Sequence, residues 1–383
     1  MRKLYFYLFL TAFFAILPVF ALVPGEKSGE YKFRIEWINC SPMPLGKIDP
    51  EKHRNIPDFR AVVFFYTRSG ESDAMVSLLE NARRSFNGKL LIAIITPDNV
   101  SDAEEFSKRH PDSRLRMAVD MERKLTPAFM QGGGMILPTA FLMDKNGKIL
   151  WRGEAADLPE AAEQAINGKL DTDIQQKTAV LTDRMHQALA NGNMLQILRI
   201  AEQIFAIAPG HPAALRMAVF AAESTRREQL AWELTMKQHA AAKHLPRITF
   251  TALELILRHR SLQSNLPALI TDFDQCGYAP KIRYAFADAL LRNFPYRSEA
   301  VIGAKRILES TPLALQAAPE EMAMVLSLRA RLFYALGDLD GALENQSEAV
   351  QIYRSSGDKN GTANAEQFLK FFQDIKKESP VKK

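Results

Sequence analysis

The stretch Arg60-Ala61-Val62-Val63-Phe64-Phe65-Tyr66-Thr67-Arg68-Ser69-Gly70-Glu71-Ser72-Asp73-Ala74-Met75-Val76-Ser77-Leu78-Leu79-Glu80-Asn81-Ala82 reads as a strand, a tight turn and a helix. Its first eight residues are apolar and β-rich. Arg68 to Ser72 is polar and holds a glycine, and from Asp73 the apolar residues fall at helical spacing. A helix N-terminus that follows a strand favours a negatively charged nucleophile, yet the hydroxyls here belong to Ser69 and Ser72. A serine oxygen is not ionised at neutral pH without a base. As a hydrolytic nucleophile Ser69 would need a histidine held by a third group. The histidines of this half are His53 and His110, and nothing in the sequence puts either beside Ser69. The simpler expectation is that Ser69 or Ser72 caps the helix.

Outward from this stretch, the N-terminus reads as an export signal. Arg2 and Lys3 precede an uncharged apolar run from Leu4 to Phe20, and Val19-Phe20-Ala21 offers small residues at the two positions a signal peptidase reads. Residues 1–21 are therefore expected to be a signal peptide cleaved after Ala21. An uncleaved anchor is the alternative, since a span needs about 20 residues; it would be the only membrane contact. Without Arg2 and Lys3 the formal charge falls from +5 to +3. That mild balance, with Lys and Arg spread along the chain, gives no reason to expect nucleic acid. The basic tail, residues 377–383 with Lys376 before it, reads as a solvated terminus. An exported chain meets an oxidising compartment, but only Cys40 and Cys276 are present. They are either two free thiols or one disulfide between two domains. No Cys or His pair has zinc spacing, and His239 and His244 would not share a helix face. No metal and no cofactor is expected.

Composition changes near residue 172. Before it, strand-like and helix-like runs alternate. Strands are expected at 31–39, 61–67, 89–96, 116–119, 139–143 and 149–152, and helices at 72–84, 101–109, 122–129 and 158–167. Asp144-Lys145-Asn146-Gly147 is a hairpin signal, and Pro138 fits the start of the strand that precedes it. Gly132-Gly133-Gly134 lacks the Lys-Ser/Thr that a phosphate cradle would need, so it reads as a loop.

The run Ile136-Leu137-Pro138-Thr139-Ala140-Phe141-Leu142-Met143-Asp144-Lys145-Asn146-Gly147-Lys148-Ile149-Leu150-Trp151-Arg152-Gly153 resembles the C-terminal half of a TlpA/ResA-like domain of the redoxin (AhpC-TSA) superfamily. Glu36-Trp37-Ile38-Asn39 with Pro42 resembles the first strand of one such subgroup, Cys40 standing where that subgroup has glycine. Met117-Ala118-Val119-Asp120 resembles the family's strand that ends in aspartate. The resemblance implies an α/β thioredoxin-like fold over residues 31–171, with Pro138 as the cis-proline facing the active-site loop. The family's two cysteines fall on Ser69 and Ser72, its tryptophan on Arg68 and its usual proline on Glu71. The resemblance thus implies the fold and withdraws dithiol–disulfide exchange, which needs an attacking thiolate and a resolving thiol. Arg68, Ser69, Gly70, Glu71, Ser72 and Pro138 form a degenerate active-site loop. Cys40 is either a lone redox thiol near that loop or a small apolar residue at a strand end.

From residue 173 to 376 the chain reads as successive amphipathic helices: 174–190 with 194–208, 212–224 with 227–242, 246–261 with 264–275, 279–293 with 297–310, 320–336 with 339–354, and a last helix near 361–376. Ala330, Phe333, Gly337, Leu339, Ala342 and Ala349 fall at tetratricopeptide spacing, as do Gly192, Met194, Ile197, Ala201, Ile204 and Pro209 with larger residues at two positions. An all-α tetratricopeptide-like solenoid is expected, with an irregular helical bundle as the alternative. Trp232, Phe250, Tyr284 and Tyr296 are either groove-lining or core.

Three functions remain open. The first is an exported, non-catalytic protein that binds polypeptide as a holdase or assembly factor, in a layout similar to chaperedoxins, although those lack this signal sequence and the TlpA-like insertion. The second is an oxidoreductase working through Cys40, and the third a scaffold for a complex of the bacterial envelope. N-terminal sequencing of the protein from its native host should begin at Leu22. An intact Met1-bearing form in washed membranes would instead favour the anchor.

Overall fold

The computed structural model describes residues 22, 24–28, 33–45, 57–130, 137–311 and 318–378. The signal sequence, His53, Gly132-Gly133-Gly134 and the end of the basic tail lie outside them. The chain forms two compact units, residues 1–225 and 226–383.

The first unit is built on a six-stranded mixed sheet of β1 (Ile35–Trp37), β2 (Phe59–Phe64), β3 (Leu90–Thr96), β4 (Arg116–Asp120), β5 (Thr139–Met143) and β6 (Ile149–Glu154), in spatial order β1-β4-β3-β2-β5-β6. Strands β2, β3 and β4 are parallel, whereas β1, β5 and β6 pair antiparallel with their neighbours. A parallel β-α-β unit followed by an antiparallel hairpin and a helix is a thioredoxin-like arrangement. Helices α1 (Ser72–Ser85), α2 (Val100–Arg109), α3 (Leu125–Met130) and α4 (Leu158–Ile166) follow β2, β3, β4 and β6. Because side chains alternate along a strand, Ala61, Val63 and Phe65 face α1, α2 and α4, while Val62 and Phe64 face α3. On the latter side Phe64, Phe129 and Phe141 meet with centroids 5.1–6.0 Å apart. The hairpin forms as its sequence suggests: Asp144 Oδ1 accepts from the amides of Asn146 and Lys148, and Gly147 takes φ +76°.

Most expected elements occur within two or three residues of their expected bounds, and two differences have clear causes. The carboxylate of Asp120 accepts the amides of Lys124 and Thr126. Residues 121–124 therefore turn, and α3 starts at Leu125 instead of 122. The first strand shortens to Ile35–Trp37 because Asn39 leaves the ladder, its side chain bonding Leu115 O and the Met117 amide.

Composition places a boundary near 172, but the first compact unit continues to Thr225 through α5 (Thr172–Ala190), α6 (Met194–Ile207) and α7 (Pro212–Ser224). Arg152 of β6 donates to Asp183 Oδ2 of α5 at 2.5 Å and to Ala179 O at 3.1 Å, with both charged side chains 2% exposed. Arg216 of α7 donates both terminal nitrogens to Asp157, at 3.1 and 2.7 Å, and Nε to Glu154. These ion pairs join the sheet's edge strand and the turn after it to the helices.

The second unit comprises α8 (Glu228–Ala241), α9 (Pro246–Arg258), α10 (Leu266–Gln275), α11 (Pro280–Asn293), α12 (Ser298–Glu309), α13 (Pro319–Ala335), α14 (Leu339–Ser356) and α15 (Lys359–Glu378). Ala330, Ala342 and Ala349 are fully buried where α13, α14 and α15 approach one another, and Gly337 turns between α13 and α14 at φ +84°. Tyr284 is buried, Phe250 packs edge-on to Phe286, and Tyr296 is 92% exposed. No helix among the described residues is long and apolar enough to cross a membrane.

Removing one partner of a buried ion pair strands the other charge and costs about 3–5 kcal/mol. Asp183→Ala is therefore expected to destabilise the first unit by that amount in denaturant unfolding. The apolar pair Arg152→Met with Asp183→Leu should cost much less, and equal losses in the two variants would contradict the role given to the pair.

Candidate functional site

The loop between β2 and α1 is held from below. Asp98 Oδ2 accepts from the Thr67 amide and hydroxyl, both at 2.7 Å, and from Thr96 Oγ1 at 2.8 Å. Burial works against the charge of Asp98, but these donors outweigh it and hold its carboxyl below the usual range. At the first turn of α1, Asp73 accepts from Arg109 and meets His110 Nε2 at 2.8 Å, so this histidine is engaged away from Ser69.

Neither serine caps α1 through its side chain. The N-cap is Glu71, whose own side chain makes no capping bond. Ser72 is the first helical residue; it is buried, and its hydroxyl donates to Tyr66 O at 2.5 Å, which leaves no free nucleophile. Ser69 Oγ accepts only a long 3.5 Å contact from the Glu71 amide. The Arg68 side chain is largely exposed and reaches Asp102, and space is open around Gly70. The Leu137–Pro138 bond is cis. Pro138 lies with Ser69 and Ser72 around a small cleft of about 30 Å³.

Cys40 is not near this cleft. It follows β1 beyond Asn39, toward the amino end of β4, whereas the loop leaves the carboxyl end of β2. Three strand steps of about 4.8 Å separate β1 from β2 across the sheet, roughly 14 Å. Burial pushes the Cys40 thiol up, against the opposing charge of Arg116. Neither Cys40 nor Cys276 is in a disulfide.

The small cleft shares Glu71, Leu137 and Pro138 with a cavity of about 360 Å³. Its floor is β5, β6 and the following turn; its walls come from α5, the start of α7 and the residues just before α7. Gly153 belongs to the floor because the Trp151 indole lies against it: a Cβ there would sit 2.5 Å from the ring. Thr139, Gln175, Thr178 and Thr182 add hydroxyl and amide groups to mostly apolar walls. Two histidines complete the lining. His211 caps α7, its Nδ1 accepting from the Ala214 amide. Burial, aided by Arg216 and opposed by Asp157, pushes its pKa down to about 4. Burial also lowers that of His186, whose buried Nδ1 has no hydrogen-bond partner among the described residues. The cavity is thus uncharged at its histidines near neutral pH.

Arg152, Asp183, His186, His211 and Arg216 were not singled out by sequence reasoning. Signals for some of them do exist. Arg152 interrupts an apolar strand, and His211 precedes a proline at the first helical position, where a capping residue belongs.

No sequence-family model and no curated protein matches the chain. Among solved structures, a hypothetical protein from Sinorhizobium meliloti is 13% identical, matching 40% of this chain and 90% of its own with a TM-score of 0.33. A putative thiol:disulfide interchange protein DsbE from Chlorobium tepidum is 21% identical, with 39% and 100% covered and a TM-score of 0.31. The bacterioferritin comigratory protein of Xanthomonas campestris is 17% identical, with 39% and 99% covered and a TM-score of 0.30. The fold assignment rests on the sheet order described above.

Both cavity histidines stay neutral in the folded protein to lower pH than the ordinary 6.5. Between pH 6.5 and about 4 the unfolded chain binds the extra protons, so stability falls as pH falls through that window and is flat above it. Above about pH 5.5, a unit over the ordinary 4.5 of Glu80, the carboxyls of the unfolded chain are still largely ionised and add little to the slope. Melting curves of His211→Asn, which keeps a capping side chain, should show a shallower slope there. An unchanged slope would contradict the assignment.

Proposed function

We propose that this chain is an exported, redox-inactive polypeptide-binding protein of the bacterial cell envelope, acting as a holdase, assembly factor or scaffold. The observation that carries the reading is the cavity beside Pro138. A loop without sulfur cannot make or resolve a mixed disulfide, yet Glu71, Leu137 and Pro138 beside it also border about 360 Å³ of mostly apolar space. That volume lies in the range of ligand pockets and suits a few side chains of an extended segment. Leu137 beside the cis-proline and the Gln175, Thr178 and Thr182 side chains supply polar groups to the lining. Supporting the export reading are Arg2, Lys3 and the Val19-Phe20-Ala21 site. The tetratricopeptide reading of the helical part is supported by the buried small residues Ala330, Ala342 and Ala349. An oxidoreductase working through Cys40 gains nothing from the geometry, since that thiol sits away from the loop.

Two measurements on the full chain test the proposal. In an insulin-reduction assay with dithiothreitol as electron source, the rate should equal background. A carboxymethylated, permanently unfolded polypeptide should bind, and Thr182→Phe, which fills the cavity, should weaken it by about tenfold, roughly 1.4 kcal/mol, without lowering the melting temperature. Reductase activity that disappears in Cys40→Ser, or affinity indifferent to Thr182→Phe, would overturn the reading.

A further inference from the structure

In the second unit, three side chains from separate parts of the sequence turn their polar atoms toward one point. Asp272 lies on α10, and Cys276 ends that helix one turn later, so the two share a face. His239 comes from α8, its side chain 2% exposed. His239 Nε2 is 2.5 Å from Asp272 Oδ2 and 4.0 Å from Cys276 Sγ, and the three groups' ligand atoms lie within 4.8 Å of one another. Asp272 is 28% exposed, which gives an approach from solvent.

A nucleophilic Cys-His-Asp relay requires the carboxylate on one ring nitrogen and the thiol on the other. Here both address Nε2, so the arrangement suits coordination and not general-base catalysis. The other ring nitrogen is already engaged. Tyr278 OH donates to Lys243 O at 2.6 Å. The Thr249 hydroxyl, 3.3 Å from both Tyr278 OH and His239 Nδ1, can then donate to the tyrosine oxygen and accept from Nδ1–H. In that tautomer the Nε2 lone pair faces the Asp272 carboxylate at 2.5 Å, where a cation could be shared between them. Such a hydroxyl behind the imidazole is the outer support that metal-ligating histidines commonly have.

We propose that His239, Asp272 and Cys276 form a site for a zinc-class divalent cation, with a fourth position open to water. A nitrogen, oxygen and sulfur set suits a borderline-soft ion. Tetrahedral zinc at ordinary bond lengths would set nitrogen and oxygen about 3.4 Å apart and nitrogen and sulfur about 3.6 Å apart. Reaching that geometry opens the first distance by about 0.9 Å and closes the second by about 0.4 Å, shifts of side-chain size. Without a cation, Cys276 is a thiol that donates to Asp272 O at 3.2 Å, and burial with the charge of Asp272 pushes its pKa up. Binding therefore releases the thiol proton. Lys243, whose Nζ is 3.7 Å from Asp272 Oδ1, is the competing cation, and it swings into solvent when the metal arrives.

The test uses the chelator-stripped full chain and the metal alone. Cobalt(II) should bind at one equivalent with a thiolate-to-cobalt charge-transfer band in the near ultraviolet, and zinc should displace it. Cys276→Ser should lose the band and Cys40→Ser should keep it. Thr249→Val should keep the band while weakening zinc by about 10–100-fold. Asp272→Asn is a second ligand variant should Cys276→Ser fail to fold, and it should weaken both ions. No band in the folded chain at millimolar cobalt, or a band that follows Cys40, would overturn the proposal.

Discussion

Arg152 leaves the last strand of the sheet and meets Asp183 inside the protein, both side chains 2% exposed. Two charges withdrawn from water are costly unless their geometry is good and their remaining bonds are filled. Arg152 meets this condition through Asp183 and the Ala179 carbonyl together. An edge strand would otherwise present unpaired backbone groups; here α5 covers it, and the Arg216–Asp157 pair fixes the start of α7 beside the same edge. The cavity next to Pro138 exists because these two ion pairs hold helices against the hairpin while leaving space over Gly153.

The consequence for function follows from which atoms remain. In the loop, Ser72 turns inward to Tyr66 and Ser69 has no base among the described residues, so neither is placed to substitute chemically for sulfur. What persists is the scaffold of the loop, held by Thr67, Thr96 and Asp98, and the cleft under Pro138. Beside it, α5 and α7 help wall a space large enough for side chains, lined by two neutral histidines. On the proposed reading the site serves contact, and its selectivity resides in residues beyond the loop.

The strands and helices were largely legible because their signals are local. A continuous apolar, β-rich run marked β2, and Asp144 to Gly147 marked the hairpin. The N-terminus of α1 was not legible as a cap, because Ser72 spends its hydroxyl on Tyr66 instead of on the helix. The compact unit does not end where the composition changes, for a different reason. Composition changes where strands stop, at 172, but the ion pairs from Arg152 and Arg216 carry the first unit on to Thr225. Likewise Asp183, His186 and His211 look like ordinary helix residues until the fold brings them around Pro138. His239 offered no zinc spacing with His244; its neighbours in space, Asp272 and Cys276, lie more than thirty residues away.

The central claim is that polypeptide occupies the space between the cis-proline and α5. Amide hydrogen exchange of the full chain, with and without a permanently unfolded polypeptide at saturating concentration, tests it most directly. The account predicts added protection in residues 137–139, 153–157 and 175–189, which border the cavity, and little change at Cys40. Unchanged exchange in those three segments while the polypeptide is bound would contradict it.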